Sequence, residues 1–381
     1  MDANAVTLAD SEGFALSRAG RFLVAKLKKP HLTLSTSQVN GGQQEHLGYL
    51  VNHQSCEGKG HMGRHHDLAV SSREEYHQAV CGEAALPPEG TALMGTAANM
   101  QNAAIASRSF EEVTVWAAVT AGVQGNAGRA GDEAKWHEGS EGWKPLHAQS
   151  GTINTMLLFN WPLLPGGLTR AIATMTEAKS AVLQELAVSS RYSAHLATGT
   201  GTDQFCLAAP LDAARKPKTW TGKHSKLGEI LAHAVMDATR EALRWQNGLE
   251  PSRTRNLPHA LGRYGITEES LRAAMGRQLD EKDRIMLEAN FLGVIHEPQV
   301  AGAAYALAAV RERIDFGVLP GAASAELLIN QAALMAASLA ARPDAYPRFR
   351  SALSEAFPGI VPDALSLVSR ALALGWAAKW A

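Results

Sequence analysis

The chain reads as a layered α/β or α+β protein, a mixed sheet with packed helices, followed by an all-helical C-terminal region. Three observations predict this. Short β-branched or apolar runs ending in Gly, Asn or Pro recur through the first half of the chain. Longer segments with apolar residues three and four apart dominate the second half. The strand-like runs precede the helices rather than alternating strictly with them, which argues against a doubly wound parallel sheet.

In chain order, residues 32–37, 47–52, 113–121, 152–160 and 204–209 are expected as strands. The stretch from Leu168 to Leu186 is an amphipathic helix, because Leu168, Ile172, Met175, Val182, Leu183 and Leu186 recur at helical spacing with no Gly or Pro inside. A second helix starts after Ser225, a hydroxyl suited to the N-cap, and runs to about Trp245 with Leu227, Leu231, Ala234, Val235, Ala238 and Leu243 on its inner side. Composition shifts at Asn247-Gly248-Leu249-Glu250-Pro251, and the polar, Pro-bounded stretch 252–258 reads as a linker. The expected division is therefore an α/β domain over 1–248 and a helical extension over 259–381. In the extension Thr267 with Glu268 and Glu269 opens one helix, 323–341 forms another, and 362–380 a third carrying Leu365, Leu367, Val368, Ala371, Leu372 and Trp376. It holds no catalytic pattern, so it is expected to serve structure or homo-oligomer formation.

At 381 residues, 46% hydrophobic and 19% charged, the chain buries one large core or two ordinary ones. A net charge of −1 gives no basis for binding nucleic acid or an acidic membrane face. The start Met1-Asp2-Ala3-Asn4-Ala5 lacks a basic, apolar leader, and no stretch is read as reaching the roughly 20 apolar residues of a membrane span, so the expected location is cytoplasmic. Cys56, Cys81 and Cys206 are odd in number and widely spaced, which indicates neither a disulfide framework nor a thiolate zinc site.

The most informative stretch is Ala197-Thr198-Gly199-Thr200-Gly201-Thr202-Asp203, where glycines and hydroxyls alternate and stop at a carboxylate. Glycines let backbone N–H groups close on a ligand, hydroxyls donate and accept, and the carboxylate offers a base. It is joined by Gly125-Asn126-Ala127-Gly128-Arg129-Ala130-Gly131-Asp132, by Gly151-Thr152-Ile153-Asn154 and by Thr176-Glu177-Ala178-Lys179. Amide hydrolysis needs an activated nucleophile, donors for the developing oxyanion and an acid for the leaving amine. Asn126 and Asn154 can supply amide donors, Asp203 or Glu177 a base, and Thr152, Thr200 or Thr202 a nucleophile, although Asn and Thr beside Gly also simply build turns. The residues do not choose between a threonine nucleophile and a directly activated water.

These segments, with Ser35-Thr36-Ser37, Val39-Asn40-Gly41-Gly42, Val119-Thr120-Ala121-Gly122-Val123 and Gly222-Lys223-His224-Ser225-Lys226-Leu227-Gly228-Glu229, resemble the adenosylcobinamide amidohydrolase family over residues 20–246. The resemblance implies hydrolysis of the amide that joins the corrin propionyl group to aminopropanol, giving adenosylcobyric acid for cobalamin salvage. It implies catalytic roles among Asp203, Lys179, Glu177, Asn154, Thr152, Thr200 and Thr202, and substrate contacts at Asn40, His53, Asn126, Arg129, Gly199, Gly201 and His224. The corrinoid enters as small-molecule substrate, and no cofactor is called for. The extension departs from the family pattern, which leaves open a corrinoid-binding or regulatory protein without hydrolysis, or another large polar ring as substrate.

At about 100° per residue, Lys179 falls in the centre of the helical apolar stripe while Glu177 points about 160° away, alongside Arg170 and Ala173. A lysine there either meets a carboxylate such as Asp203 and lines the pocket, or lays its stem on the core and reaches water. Glu177 reads from phase alone as a solvated residue. His46, His53, His61, His65, His66 and His77 fall close together, with Cys56, but without a two-ligand helical spacing or His-Glu-x-x-His, so a solvated loop is favoured over a metal site. His224 precedes a helix start, where it is either a site residue or a loop histidine. Arg129 and Asp132 either brace their loop or contact the ligand. Gly125, Gly128 and Gly131 stand three apart and do not form a dinucleotide fingerprint.

Overall fold

The structure, a computed structural model, describes residues 5–56, 68, 72–134, 136–140, 142–145 and 151–380. The chain divides into two compact units, Met1–Leu249 and Glu250–Ala381.

The first unit enters on an antiparallel meander of β1 (Val6–Asp10), β2 (Phe14–Ala19) and β3 (Phe22–Leu27). Strands β4 (His31–Ser35) and β5 (Gly42–Gln44) belong to a second sheet, after which β6 (Tyr49–Gln54) returns antiparallel to β3. Helix α1 (Arg73–Ala84) leads to β7 (Thr91–Thr96), parallel to β6. A hairpin follows, β8 (Ala104–Phe110) and β9 (Val113–Ala121), then the short β10 (Ala127–Gly128) and the small hairpin β11 (Trp136–Gly139) and β12 (Gly142–Pro145). The unit ends with β13 (Ile153–Phe159), α2 (Pro165–Glu185), β14 (Gly199–Thr200), β15 (Gln204–Pro210) and α3 (Lys226–Asn247). The larger sheets run β1-β2-β3-β6-β7 and β5-β4-β15-β13-β9-β8.

Alternation along the strands stacks these sheets. On β9, Val115, Ala117 and Val119 pack with the helices α2 and α3, whereas Ala118 faces the other sheet. On β13, Ile153, Leu157 and Phe159 join the first of these cores and Met156 and Leu158 the second. The first sheet repeats the pattern: Leu23, Ala25, Leu50 and Met94 face the sheet–sheet core, and Val24, Val51 and Leu93 pack with Tyr76 and Val80 of α1. The order is helix, sheet, sheet, helix pair. Strands buried on both faces carry continuous apolar runs, which is why β9 and β13 are plain in the sequence.

The α2 helix begins at Pro165 and buries Leu168, Ala171, Met175, Ala178, Val182 and Leu183. Ile172 and Leu186 are only partly buried, so Lys179 lies on the flank of the buried stripe and not at its expected centre. The α3 helix is capped as expected: Ser225 Oγ accepts from Gly228 N at 3.1 Å, and Gly248 closes the other end in the left-handed region at φ 64°.

Three histidines of the His-rich segment, His61, His65 and His66, lie outside the described residues. The others do not form one solvated loop. His53 is fully buried on β6 with Nδ1 2.9 Å from the Tyr76 hydroxyl, and His77 is buried on α1 with Nε2 2.9 Å from Pro88 O.

The second unit is helical: α4 (Pro251–Thr254), α5 (Leu257–Leu261), α6 (Glu268–Gly276), α7 (Glu281–Ile295), α8 (Pro298–Asp315), α9 (Ser324–Ala340), α10 (Tyr346–Ala356) and α11 (Ala364–Lys379). The stretch 252–258, read as a linker, instead carries α4 and the start of α5, because Pro251 fits a first helical turn and Asn256 caps α5 by accepting from His259 N at 3.0 Å. Thr267 and Ser270 form a reciprocal capping box at α6. The span Gly321–Ala340 is long and apolar enough to cross a membrane, contrary to the sequence expectation. Half of it is buried within its unit, where α9 packs against α8, α10 and α11 through Leu328, Ala332, Met335 and Ala336.

Candidate functional site

Strands β13 and β15 are parallel neighbours with Asn154 opposite Gln204, so the residues that lead into each, 151–152 and 199–203, emerge at the same end of the sheet. The 125–132 loop is fastened to them by pairing of β10 with β14, Ala127 opposite Thr200 and Gly128 opposite Gly199. Helix α2 lies alongside, and between these segments opens a cleft of about 630 Å³. Among its lining residues are Asn126, Arg129, Asp132, Thr176, Lys179, Tyr192 and the run Thr198 to Asp203.

Asp203 accepts hydrogen bonds from four donors at the cleft. Lys179 Nζ and Thr200 N donate to its Oδ2, the second at 3.1 Å. Ile153 N at 3.0 Å and Thr200 Oγ1 at 2.6 Å donate to Oδ1. Side-chain exposures of 12% for Lys179 and 19% for Asp203 mean the pair works in a medium less polar than bulk water, where charge-assisted bonds are stronger. Gly199 makes the closure possible. A Cβ there would lie 2.5 Å from Asp203 Oδ2 and 3.0 Å from Lys179 Nζ.

Across the cleft, Asn126 donates through Nδ2 to Gly151 O at 2.8 Å and to Thr202 Oγ1 at 3.4 Å, while its Oδ1 accepts from the Tyr192 hydroxyl. That orientation of the amide is therefore set from both ends. Gly151 is required as glycine, since its φ of 148° is left-handed and a Cβ would stand 2.9 Å from Gly122 O. The Tyr192 ring lies on Gly128, with ring carbons 3.3 and 3.5 Å from where a Cβ would be, and burial pushes its hydroxyl above the usual tyrosine range. Burial would likewise raise Asp132, yet hydrogen bonds from Ser190 Oγ at 2.6 Å, from Ser193 and from Arg129 N at 2.7 Å outweigh it and hold the carboxyl below its ordinary value. Asp132 thus ties the 125–132 loop to the 190–196 segment, and Arg129 adds a bond to Leu196 O at 3.3 Å.

Of the residues singled out from sequence, Asp203, Lys179, Thr200, Thr202, Asn126, Arg129, Gly199 and Gly201 meet at this cleft. The others lie elsewhere. Thr152 is buried behind the loop, donating to Thr202 O at 2.6 Å. Asn154 is fully buried, and its Nδ2 is spent on Asn52 Oδ1 and Gly95 O, both at 2.9 Å. Glu177 is exposed and paired with Lys223 at 2.5 Å on the face of α2 turned from Lys179. Asn40, at φ 58°, uses its amide to hold Pro88 O and Thr91 O at 2.8 and 2.9 Å. His53 sits in the first sheet, and His224 is exposed before α3. Sequence reasoning missed Tyr192 and Ser190, although a polar Ser-Arg-Tyr-Ser run in the connection from a helix to the Gly/Thr loop is where binding residues concentrate. Among the described residues no group of three or more His, Cys, Asp or Glu is placed to hold a metal ion.

The profile of the family described as adenosylcobinamide amidohydrolase matches residues 7–251, which include every cleft residue named above. An uncharacterized protein of Methanocaldococcus jannaschii is 37% identical over 183 residues, spanning 46% of this chain and 71% of that protein. A crystal structure of the PH0078 protein from Pyrococcus horikoshii OT3 covers 63% of this chain and 82% of its own at 13% identity, with a TM-score of 0.29 that is too low to support an argument.

Proposed function

The chain belongs to the adenosylcobinamide amidohydrolase family, a family of hydrolases, and from that premise we propose that its cleft hydrolyses the amide joining a corrinoid propionyl side chain to aminopropanol. The products are adenosylcobyric acid and free aminopropanol, as cobalamin salvage requires. One observation supports the reading above the rest: the Asp203 carboxylate, held by Lys179, faces a threonine hydroxyl 2.6 Å away inside the cleft built from the family's own segments. An amide reacts only with an activated nucleophile, and a hydroxyl or water beside a fixed carboxylate is such a group.

The cleft is bounded by glycine-rich loops and small hydroxyl side chains, so it suits an extended side arm that carries an amide while the bulk of the ring stays outside. Asn126 and Arg129 contact that arm's polar atoms. The helical unit, 250–381, contributes to assembly, and the reaction takes place in the cytoplasm. Incubation of the purified protein with adenosylcobinamide, followed by mass spectrometry, tests the reading: adenosylcobyric acid and aminopropanol should appear together, and unchanged substrate would refute it.

A further inference from the structure

We infer that the hydrolysis runs through a covalent ester on Thr200. The inference rests on the reading that this cleft cleaves an amide, and it goes beyond it by naming the nucleophile.

The acceptor capacity of Asp203 is fully used. A carboxylate offers about four lone-pair positions. Here four donors occupy them: Lys179 Nζ, Thr200 N, Ile153 N and Thr200 Oγ1. A water molecule reaches this carboxylate only by displacing one of the four. Two are backbone groups fixed by β13 and by the loop, and the third carries the charge of the pair. The proton that enters Asp203 therefore comes from the Thr200 hydroxyl, which is already aligned at 2.6 Å. The other two candidate threonines are committed elsewhere. Thr152 Oγ1 donates to Thr202 O, and Thr202 Oγ1 donates to Gly151 O at 2.8 Å, so neither hydroxyl points its proton at a base. Thr200 alone joins a carboxylate partner to a place on the cleft wall. Thr202 N, 3.4 Å from Thr200 Oγ1, lies where it strengthens as negative charge builds on that oxygen.

The first half-reaction forms the bond between Thr200 Oγ1 and the amide carbon while the hydroxyl proton moves to Asp203. The C–N bond then breaks and the same proton leaves on the departing amine, giving the corrinoyl ester of Thr200 and aminopropanol. In the second half, water adds to the ester carbon and gives its proton to Asp203. The C–O bond breaks, Thr200 Oγ1 takes that proton back, and the acid is released. Lys179 stays paired with Asp203 throughout and keeps the carboxylate in place.

The test combines rapid acid quench with trapping of the full-length protein. With excess adenosylcobinamide, a burst of aminopropanol should precede steady turnover, and intact-mass and peptide analysis should place an acyl adduct on the peptide containing Thr200. Added hydroxylamine should divert product to the hydroxamate without slowing amine release. Thr200→Ala should lose at least ~10²-fold in turnover, whereas Thr200→Ser should keep measurable turnover and carry the adduct on the new hydroxyl. Turnover with neither burst, adduct nor hydroxamate, or an active Thr200→Ala, would overturn the ester while leaving amide hydrolysis intact. Absence of any amine release by the parent protein would instead overturn the functional reading and the ester with it.

Discussion

The ammonium of Lys179, on the flank of α2, closes on the carboxylate of Asp203 at the entrance to β15, with Gly199 between them leaving the space that closure needs. The contact joins helix, loop and sheet at one point. It also resolves the choice that the helical phase left open, since the lysine is paired and does not reach past the core to water.

Removing the charge should therefore be costly in two ways. Lys179→Met keeps the stem but leaves Asp203 with three donors, and loss of one partner of a partly buried pair costs about 1–3 kcal/mol. Melting temperature should fall and turnover should drop with it. Glu177→Gln, which breaks an exposed contact with Lys223, should leave both nearly unchanged. A Lys179→Met protein as stable and active as the parent would show the pair to be incidental.

Asp203→Asn should reduce turnover by at least ~10²-fold, the scale of a positioned acid or base. An amide nitrogen cannot accept from the N–H donors that now converge on both oxygens, so some loss of stability should accompany it. Steady-state kinetics and thermal unfolding on the same sample separate the two effects.

The glycines of the loop are not equivalent. Gly199→Ala would drive a methyl group to within 2.5 Å of Asp203 Oδ2 and force the ion pair apart, while a methyl at Gly201 would meet Asn126 no closer than 3.4 Å. Turnover should collapse for Gly199→Ala and fall far less for Gly201→Ala. Equal effects would mean that the space beside the ion pair is not what the glycine supplies.

The tie between the two cleft loops should weaken in acid. Because folding lowers the Asp132 carboxyl below its ordinary 3.8, its contribution is complete above that value and disappears as pH falls through the lower, folded one. Asp132→Asn should therefore narrow its stability gap to the parent as pH drops below about 4. Denaturant midpoints measured at neutral pH and at pH 3 give the comparison, and a gap independent of pH would contradict the assignment.

A chain ending at Leu249 should fold, since the first unit has its own cores and α3 is closed by Gly248. It should retain the parent's turnover. A folded but inactive product would place part of the site in the helical unit.

Sequence alone settled the elements whose burial is uniform or whose ends are marked. Strands β9, β13 and β15 stand out because both faces are covered and most of their residues are apolar, and α3 because a hydroxyl cap and a terminal glycine bracket an apolar stripe. The Gly/Thr loop and Asp203 stood out for a similar reason, as backbone that must approach closely writes itself in glycine. The meander β1 to β3 escaped because polar residues such as Arg18 and Lys26 interrupt its runs, and only the neighbouring strands decide that those segments are sheet. The site divided along the same line. Residue type identified Asn126, Thr200, Lys179 and Asp203, but type could not tell that Asn154 and Thr152 spend their polar atoms inside the protein, or that Tyr192 comes 66 residues along the chain to orient Asn126. Hydrogen-bond partners distant in sequence are chosen by strand register and helix placement, and those follow from which apolar faces can be buried together. The fold therefore decided which of several equivalent threonines and carboxamides faces the cleft.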